Sequence, residues 1–392
     1  MVMHELGRVR VLDFTWAVAG ALFTNLLGWM GAQVIKVESR NHLDRQRHQP
    51  DPISGRPADP RFGTHLFRSV NANKIAVVLE VDNSEDYQRA LRIISVSDVV
   101  VANMKGGALA RLGLCYEKVR KVRPDVIVLS STGFGESGPW RDYRAEAPTL
   151  GAICGLGDLT GYPEAPPGTM LTSFDGANAM YALVVLLAAL AHRARTGEGC
   201  FIDLSQAEGG ACLAGDSFLS FLATGTQPHR SGNADDVWAP HECYPCRGDD
   251  QWVTIVAQSE EEWRALCEAL GRPPWTQKAC FENAALRVAH KRQLDAFVAK
   301  WTRQHTAWEI TEMLQAAGVS AMPVFSAADV FADEQLTHRG VVEWTVHPAG
   351  GVAPVMRPPW MFARKKWKPA TPSPTIGEHD AFLRHQLLGE GD

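Results

Sequence analysis

Short apolar segments, separated by longer stretches with helical periodicity, constrain the fold of this chain more than any other feature. They cover residues 9–14, 32–38, 75–79, 97–103 and 126–131. The run Val99-Val100-Val101-Ala102 is apolar at every position, which is typical of a parallel strand buried on both faces. Strands that alternate with helices in this way predict a doubly wound α/β domain of Rossmann type. Ligands of such domains bind beyond the C-terminal ends of the strands.

The turn after the first strand argues against a nicotinamide dinucleotide. It reads Thr15-Trp16-Ala17-Val18-Ala19-Gly20, small residues that let a ligand approach the backbone, but it lacks the GxGxxG pattern. Glu38 ends the second strand, where a dehydrogenase carries its ribose-binding acid. Because the glycine pattern is absent, the match of Glu38 to the acid of a dehydrogenase is weak.

The length of 392 residues predicts more than one domain. We expect a large Rossmann-like domain over 1–224, a smaller α+β domain over 225–328, and a segment over 329–392 that returns to the large domain. The polar, turn-rich residues 225–240 mark the first crossing. In the smaller domain, a strand over 252–257 precedes amphipathic helices predicted over 260–270, 292–303 and 307–317.

Composition is that of an ordinary globular protein, with 45% hydrophobic and 21% charged residues and a net charge of -5. Nothing in it favours binding to nucleic acid or to a membrane. The first ten residues are polar and predict no signal peptide, and the apolar run over 180–191 is too short to span a bilayer. Of the eight cysteines, Cys243 and Cys246 have CxxC spacing without a second pair, so no metal site is predicted. We expect a cytoplasmic protein.

One acidic residue, Asp175, stands just before an apolar helix predicted over 179–191. Aspartate at a helix start is most often an N-cap that accepts a hydrogen bond from a free backbone N–H. A carboxylate beside an apolar helix is also a candidate nucleophile. Local sequence leaves both interpretations open. A further helix is predicted over 206–223.

Polar and basic residues follow the predicted strand ends. Asn103, Lys105 and Arg111 come after the fourth strand, and the glycine loop 132–139 comes after the fifth. The loop 39–62 carries several arginines, which suit either a solvated surface or contact with phosphates.

An ordered set of segments resembles the family III CoA-transferases, the group that contains formyl-CoA transferase and the carnitine CoA-transferases. The segments are residues 11–14, 26–38, 71–74, 111–114, 131–139, 189–199 and 376–379. The family's catalytic aspartate stands before the helix that leads to an R-x-x-T-G-x-G segment, here Arg193 to Gly199, and that position is Asp175. The resemblance implies that Asp175 attacks an acyl-CoA thioester and forms an anhydride and then an aspartyl-CoA thioester. CoA would then pass to a carboxylic acid, with no permanently bound cofactor and no metal. The family's interlocked homodimer is implied as well.

The resemblance also implies a set of CoA- and substrate-binding residues. They are Ala17, Val18, Ala19, Arg47, Lys74, Asn103, Lys105, Arg111, Thr132, Gly133 and Glu146. Formyl-CoA transferase has a glutamine where this chain has Val18, which argues against that substrate. Trp16, Trp140 and Tyr143 are further candidates for the acyl pocket.

The nearest alternative is an α-methylacyl-CoA racemase of the same fold. Its Gly-His-Asp signature would fall at Ala145-Glu146-Ala147, where the histidine is absent, although Glu146 could act as a base. A non-catalytic CoA-binding protein is a second alternative. Trapping of an acyl group on Asp175 would distinguish the transferase from both.

Overall fold

The computed structural model describes residues 5–51, 55–169, 172–348, 352–363, 366–367 and 370–390. Contacts divide the chain into two compact units. The large unit contains residues 1–157, 169–226 and 335–392, and the small unit contains residues 158–168 and 227–334. The domain boundaries predicted above stay predictions. The contact division differs from them in residues 158–168 and 329–334, which group with the small unit, and in residues 225–226, which group with the large unit.

The strands alternate with helices through the first half of the chain. The strands are β1 (Arg10–Phe14), β2 (Gln33–Glu38), β3 (Lys74–Val78), β4 (Val99–Ala102), β5 (Ile127–Thr132), β6 (Cys200–Ser205), β7 (His241–Pro245), β8 (Trp252–Val256), β9 (Ser320–Pro323), β10 (Val342–Val346) and β11 (Val352–Met356). The helices up to β6 are α1 (Ala19–Trp29), α2 (Arg45–His48), α3 (His65–Val70), α4 (Ser84–Ser95), α5 (Ala108–Arg111), α6 (Tyr116–Val122), α7 (Ala147–Ile153), α8 (Leu156–Leu159) and α9 (Thr172–Thr196). The later helices are α10 (Gln206–Leu213), α11 (Gly215–Thr224), α12 (Glu260–Ala269), α13 (Ala284–Ala289), α14 (Lys291–Thr302), α15 (Ala307–Ala316), α16 (Ala327–Ala332), α17 (Glu334–Arg339) and α18 (Asp380–Phe382).

A six-stranded parallel sheet forms the centre of the large unit, in the order β3-β2-β1-β4-β5-β6. From β1 to β3 the sheet is built toward one edge, and from β4 to β6 it is built toward the other, so the order of strands reverses between β1 and β4. The same reversal is found in the Rossmann arrangement. The α/β expectation is therefore confirmed. The crevice at this reversal is the expected ligand site of such a sheet.

Alternation along β1 divides the apolar core between the two faces of the sheet. Val11 packs with Phe23 of α1 and Leu186 of α9, whereas Leu12 packs on the other face with Ile93 of α4. Successive side chains of a strand point to opposite faces, so an apolar strand supplies both layers. Helices on both faces make the sheet rigid, and its strand ends can hold a site in fixed positions.

Two helix predictions need correction. Helix α9 begins at Thr172, so Asp175 lies in its first turn and does not precede it. The helix predicted over 206–223 is two helices, α10 and α11, because Ala214 between them has φ -96° and ψ 17°. Ala214 is also buried, which fixes the break in the interior.

Helix α9 is also longer than the apolar run in the sequence suggested. Among the described residues, 174–196 form a helix long and apolar enough by length and composition to cross a membrane. One such helix is weak evidence for a membrane span. Here Ala179, Ala182 and Leu186 pack into the core on one face of the sheet.

The small unit has an antiparallel sheet in the order β7-β8-β9. Its core includes Trp263 of α12, Leu294 of α14 and Ile310 of α15. The fully buried Arg287 donates hydrogen bonds to Glu260 and to the carbonyl oxygen of Ala239, so its charge is paired.

The end of the chain returns to the edge of the large sheet. The backbone N–H of Ala76 and that of Val78, both in β3, donate to His379 Nδ1 and Asp380 Oδ1 at 3.3 and 2.8 Å. The N–H of His379 donates to the carbonyl oxygen of Ala76. These contacts cover an edge that would otherwise offer free backbone groups.

Candidate active site

The turn that follows β1 is held by the side chain of Asn103, which follows β4. Asn103 Oδ1 accepts from the N–H of Trp16 at 2.7 Å, and its Nδ2 donates to the carbonyl oxygen of Trp16 at 2.8 Å. Ala17 then adopts φ 56°, a left-handed conformation that is uncommon for a residue with a side chain. The two strand ends at the reversal of the sheet are thereby joined.

Buried charges lie beneath this turn. Asp13 accepts from the N–H of Thr15 at 2.8 Å and from Lys74 Nζ at 3.1 Å, while Lys36 Nζ donates to the carbonyl oxygen of Thr15 at 2.8 Å. Burial alone would raise the pKa of Asp13, but the ammonium groups of Lys74 and Lys36 hold it below its usual value. The ion pair of Asp13 with Lys74 has no solvent exposure. It holds the Asp13 carboxylate in place, and this carboxylate bonds the N–H of Thr15 in the turn.

Asp44 links the same turn to helix α2. Its carboxylate accepts from the N–H of Ala17 at 3.2 Å and caps α2 by accepting from the N–H of Gln46 at 3.0 Å. Lys36 Nζ lies 3.7 Å from Asp44 Oδ2. Because one buried carboxylate serves both elements, the first residue of α2, Arg45, is positioned relative to the turn.

A cavity of about 430 Å³ opens in the large unit beside these elements. It is lined by Val18, Arg45, Gln46, Leu66, Asn103, Met104, Lys105, Gly106, Gly133, Arg141, Tyr143, Arg144, Ala145, Glu146, Ala147, Pro148, Leu150, Asp175 and Gln206. Gly133 is needed at its wall, since a Cβ there would lie 2.3 Å from the Cβ of Ala145. We call this space the aspartate cavity.

Asp175 is half-buried in the aspartate cavity, in the first turn of α9. Burial, and then the negative charge of Glu146, raise the pKa of Asp175 to about 6, while Arg45 acts in the opposite direction. Among the described residues, no hydrogen bond or ion pair engages its carboxylate. The N-terminal end of α9 still favours its ionised form. The group is therefore a carboxylate poorly solvated by water and open to a reacting partner.

Arg45 and Glu146 form the principal ion pair of the cavity wall. Arg45 Nη1 and Nη2 donate to Glu146 Oε1 and Oε2 at 2.6 and 2.7 Å, the two-pronged geometry of an arginine–carboxylate contact. Their side chains are 44% and 56% exposed, so solvent screens the attraction.

A second cavity, of about 540 Å³, lies at the carboxyl ends of β1 to β4. Its walls are mostly apolar and include Phe14, Val37, Leu79 and Leu112, with Arg111 among the polar residues. We call this space the strand-end cavity. Asn103, Met104 and Lys105 line both cavities, so one loop borders the two spaces.

Seven of the residues singled out in the sequence line the two cavities, six of them together in the aspartate cavity. Val18, Asn103, Lys105, Gly133 and Glu146 line the aspartate cavity with Asp175, and Arg111 lines the strand-end cavity. Of the acyl-pocket candidates, Tyr143 lines the aspartate cavity and Trp16 lines the strand-end cavity.

Other predicted binding residues lie outside the lining of these cavities. Ala17, Ala19, Arg47, Lys74 and Thr132 line neither of these two cavities. Arg47 is bonded to Glu38 at 2.9 and 2.6 Å with its side chain fully buried. Lys74 is likewise enclosed by Asp13, Asn71 and Ala21. Because protein groups already engage both charges, we expect a structural role for Arg47 and Lys74, and the CoA contacts implied by the resemblance stay a prediction.

Sequence reasoning missed several cavity residues. Arg45 stands two positions before Arg47, and no sequence signal distinguishes the cavity residue Arg45 from the buried Arg47. Arg141 and Arg144 follow the glycine loop, close to the predicted Glu146. Gln206 could have been found, because it directly follows β6, at the same edge of the sheet as Asn103.

The fold resembles solved structures over almost its whole length. A CaiB/BaiF family protein from Brucella suis superposes with a TM-score of 0.85 at 29% identity, covering 97% of this chain and 98% of its own.

Curated relatives are CoA-transferases. A probable CoA-transferase of Mycobacterium tuberculosis is 32% identical over 97% of this chain. The match covers only 48% of the length of that longer protein. A succinyl-CoA:mesaconate CoA-transferase of Haloarcula marismortui is 30% identical, covering 97% of this chain and 96% of its own. A succinate–glutarate CoA-transferase of Agrobacterium fabrum is 28% identical, with 97% and 95% covered.

The sequence profile of CoA-transferase family III matches residues 6–380. The enzymes of this family move CoA between acyl-CoA thioesters and carboxylic acids, and none of the relatives named above is a racemase. The chain belongs to CoA-transferase family III and is a CoA-transferase.

Proposed function

We propose that Asp175 is the nucleophile of the transfer, and that CoA passes between two carboxylic acids through intermediates on this residue. The observation that carries the proposal is the half-buried carboxylate of Asp175, which has no partner among the described residues and a pKa raised to about 6. A carboxylate removed from water is a better nucleophile toward an activated thioester carbonyl.

The proposed reaction has two matching halves. The Asp175 carboxylate attacks the thioester carbonyl carbon, the C–S bond breaks, and CoA leaves as a thiolate from a mixed anhydride. The thiolate then attacks the Asp175 carbonyl carbon of the anhydride and releases the first acid as its carboxylate. An incoming carboxylate attacks the aspartyl-CoA thioester, again expelling the thiolate. Attack of the thiolate on the new acyl carbon yields the new acyl-CoA and restores Asp175.

The two cavities suit the two ends of an acyl-CoA. We propose that the nucleotide lies in the strand-end cavity, with its base against Val37 and Leu79 and its phosphates near Arg111 and Lys105. The thioester would then reach the aspartate cavity past Asn103, which borders both spaces. The switch point of a parallel sheet is the usual place for such a ligand.

Trapping of the activated carbonyl group of Asp175 tests the proposal. The protein is incubated with succinyl-CoA, the donor named for a relative, and treated with hydroxylamine, which converts an activated aspartyl group into a hydroxamate. Peptide mass spectrometry should locate the hydroxamate on Asp175, and a labelled acid added instead should appear as its CoA thioester. Exchange of a substrate proton in deuterated water without a hydroxamate would refute the proposal.

We also propose that the enzyme is a homodimer, in the interlocked arrangement implied by the family resemblance. Support comes from exposed apolar side chains on α9 and α11, where Val184, Leu219 and Leu222 are 68%, 69% and 77% exposed. Leu219 and Leu222 are one helical turn apart, and clustered exposed apolar side chains often mark a protein interface. Sedimentation should give twice the chain mass of 42.9 kDa, and Leu222→Glu should reduce that species. A wild-type monomer would contradict the proposal.

The acylation rate should depend on pH through Asp175. Only the anion attacks, so transfer from succinyl-CoA to a labelled acid should be slow below the pKa of about 6 and reach its plateau above it. Glu146→Gln removes the like charge that raises this pKa, so its midpoint should move to lower pH. Transfer rates are measured from acidic to neutral pH in both proteins. A midpoint that stays unchanged in Glu146→Gln would contradict the assignment.

A further inference from the structure

We infer that Arg45 selects acids that carry a second carboxylate, and that it binds this carboxylate in place of Glu146 in the aspartate cavity. The inference rests on the function proposed above. It names the residue of this chain that would select acids of the class to which the succinate, glutarate and mesaconate of the relatives belong.

The geometry of the Arg45–Glu146 pair is that of a bound ligand carboxylate. Both terminal nitrogens of Arg45 meet both oxygens of Glu146, at 2.6 and 2.7 Å. A planar guanidinium recognises any carboxylate in this way, whether it belongs to a side chain or to a substrate. The glutamate therefore marks where a substrate carboxylate would lie.

Exposure decides whether such a pair can exchange. Arg45 and Glu146 are about half exposed, so either can return to water at little cost. The pair of Arg47 with Glu38 is also two-pronged, through Nε and Nη2, but its side chains are 0% and 3% exposed. Opening that buried pair would leave an uncompensated charge in the interior. Of the two arginines of α2, Arg45 is therefore the one that can exchange its glutamate partner for a ligand carboxylate.

The position of Arg45 is fixed by groups that do not depend on Glu146. Asp44 caps α2 and also accepts from the N–H of Ala17, so the backbone at Arg45 is tied to the turn after β1. Arg45 lies near enough to Asp175 to interact with its charge. A substrate with one carboxyl group at Asp175 could therefore extend its other end toward the guanidinium.

Arg45 would keep a carboxylate partner when such an acid binds. Lys105 and Arg141 lie 3.4 and 4.0 Å from Asp142, which offsets part of their charge. Arg45 has Glu146 as its partner in the cavity wall. An acid with two carboxylates places its second charge on Arg45, while Glu146 turns to solvent.

One subsite would serve both halves of the reaction, because the donor acyl group and the acceptor acid each bond to Asp175 in turn. The preference should therefore hold for donors and for acceptors. Succinate and succinamate are suitable acceptor probes, since the amide has nearly the same shape without the charge. Succinyl-CoA and butyryl-CoA are the corresponding donor probes.

The test compares these pairs in wild type, Arg45→Met and Arg45→Lys. Wild type should use succinate and succinyl-CoA with a kcat/KM about 10–100-fold above that of the uncharged partners, the range expected for a charged hydrogen-bonded contact. Arg45→Met should lower kcat/KM for the charged substrates alone, so the ratio should approach one. Arg45→Lys should keep part of it, since lysine retains the charge without the fork.

Two further variants complete the test. Glu146→Gln removes the competing charge and should lower the KM for succinate more than that for succinamate. Arg61→Met is the matched control, because Arg61 forms an exposed pair with Asp59 outside both cavities and should leave the ratio unchanged. If Arg45→Met keeps the wild-type ratio while acyl trapping on Asp175 persists, the inference is wrong and the proposed function stands. If wild type forms no adduct on Asp175 with any donor, the proposed function itself is wrong.

Discussion

Asp175→Ala is expected to fold normally and to lose at least about 10⁴-fold in turnover, the scale on which removal of a catalytic nucleophile acts. The methyl group cannot form the anhydride, and no other carboxylate among the described lining residues of the cavity reproduces its position. Glu146 lines the same cavity but is held by Arg45. The measurement is steady-state transfer from succinyl-CoA to a labelled acid, with circular dichroism to check the fold.

Asp175→Asn and Glu146→Gln serve as the controls for this prediction. The asparagine retains the shape of the aspartate without its nucleophilic charge, so it should be as inactive as the alanine. Glu146→Gln removes the neighbouring carboxylate and should still give a hydroxamate on Asp175. A folded Asp175→Ala protein that still transfers CoA at the wild-type rate would overturn the mechanism.

Arg47→Met is expected to lower the free energy of unfolding by about 3–5 kcal/mol, as breaking a buried ion pair from one side does. Arg47 is enclosed by Glu38, the carbonyl oxygen of Arg61, that of Pro374, and the ring of Phe67, which lies 3.8 Å from the guanidinium carbon. Its loss leaves the Glu38 carboxylate buried without its partner. Urea unfolding measures the change.

The same variant separates a structural role from the CoA-binding role that the family resemblance implied. A structural arginine should change stability while the KM for acyl-CoA in the folded fraction stays near the wild-type value. The exposed Arg61→Met variant should cost at most about 1 kcal/mol. An Arg47→Met protein of unchanged stability with a strongly raised KM would instead support direct contact with CoA.

Much of the sheet could be predicted from sequence because its signal is local. Runs such as Val99 to Ala102 are apolar at each position, and the structure buries all four residues in β4. The rule that ligands bind beyond strand ends then pointed to Asn103 and Lys105, both of which line the cavities. The position of Asp175 came from the ordered family segments, and its role as nucleophile remains a proposal.

The choice between Arg45 and Arg47 could not be made from sequence. The two residues lie on one short helix, where each position turns the side chain by about 100°. Two positions therefore place one guanidinium in the cavity wall and the other in the interior. Which of them faces the cavity depends on Asp44, Glu38 and Phe67, and these contacts exist only once the chain has folded.

Lys74 shows a related difficulty. A lysine at a strand start is most often solvated, yet here the ammonium group is buried, and burial lowers its pKa to about 8 despite the opposing effect of Asp13. No periodic pattern in the sequence signals a buried charge, because its cost is offset by partners distant in the chain. Asp13 lies 61 residues away.

The covered edge of the large sheet has a consequence for synthesis of the protein. The backbone N–H of Val78 donates to Asp380, which is 302 residues later in the chain, so this bond forms only after Asp380 has been synthesised. At a translation rate of ~5–20 residues per second, the ribosome needs roughly 15–60 s to make that stretch. During that time β3 is an open strand edge that can pair with another nascent chain. Native contacts of such long separation also form slowly. Yield in a cell should therefore depend on chaperones that shield the first strands until the last residues emerge.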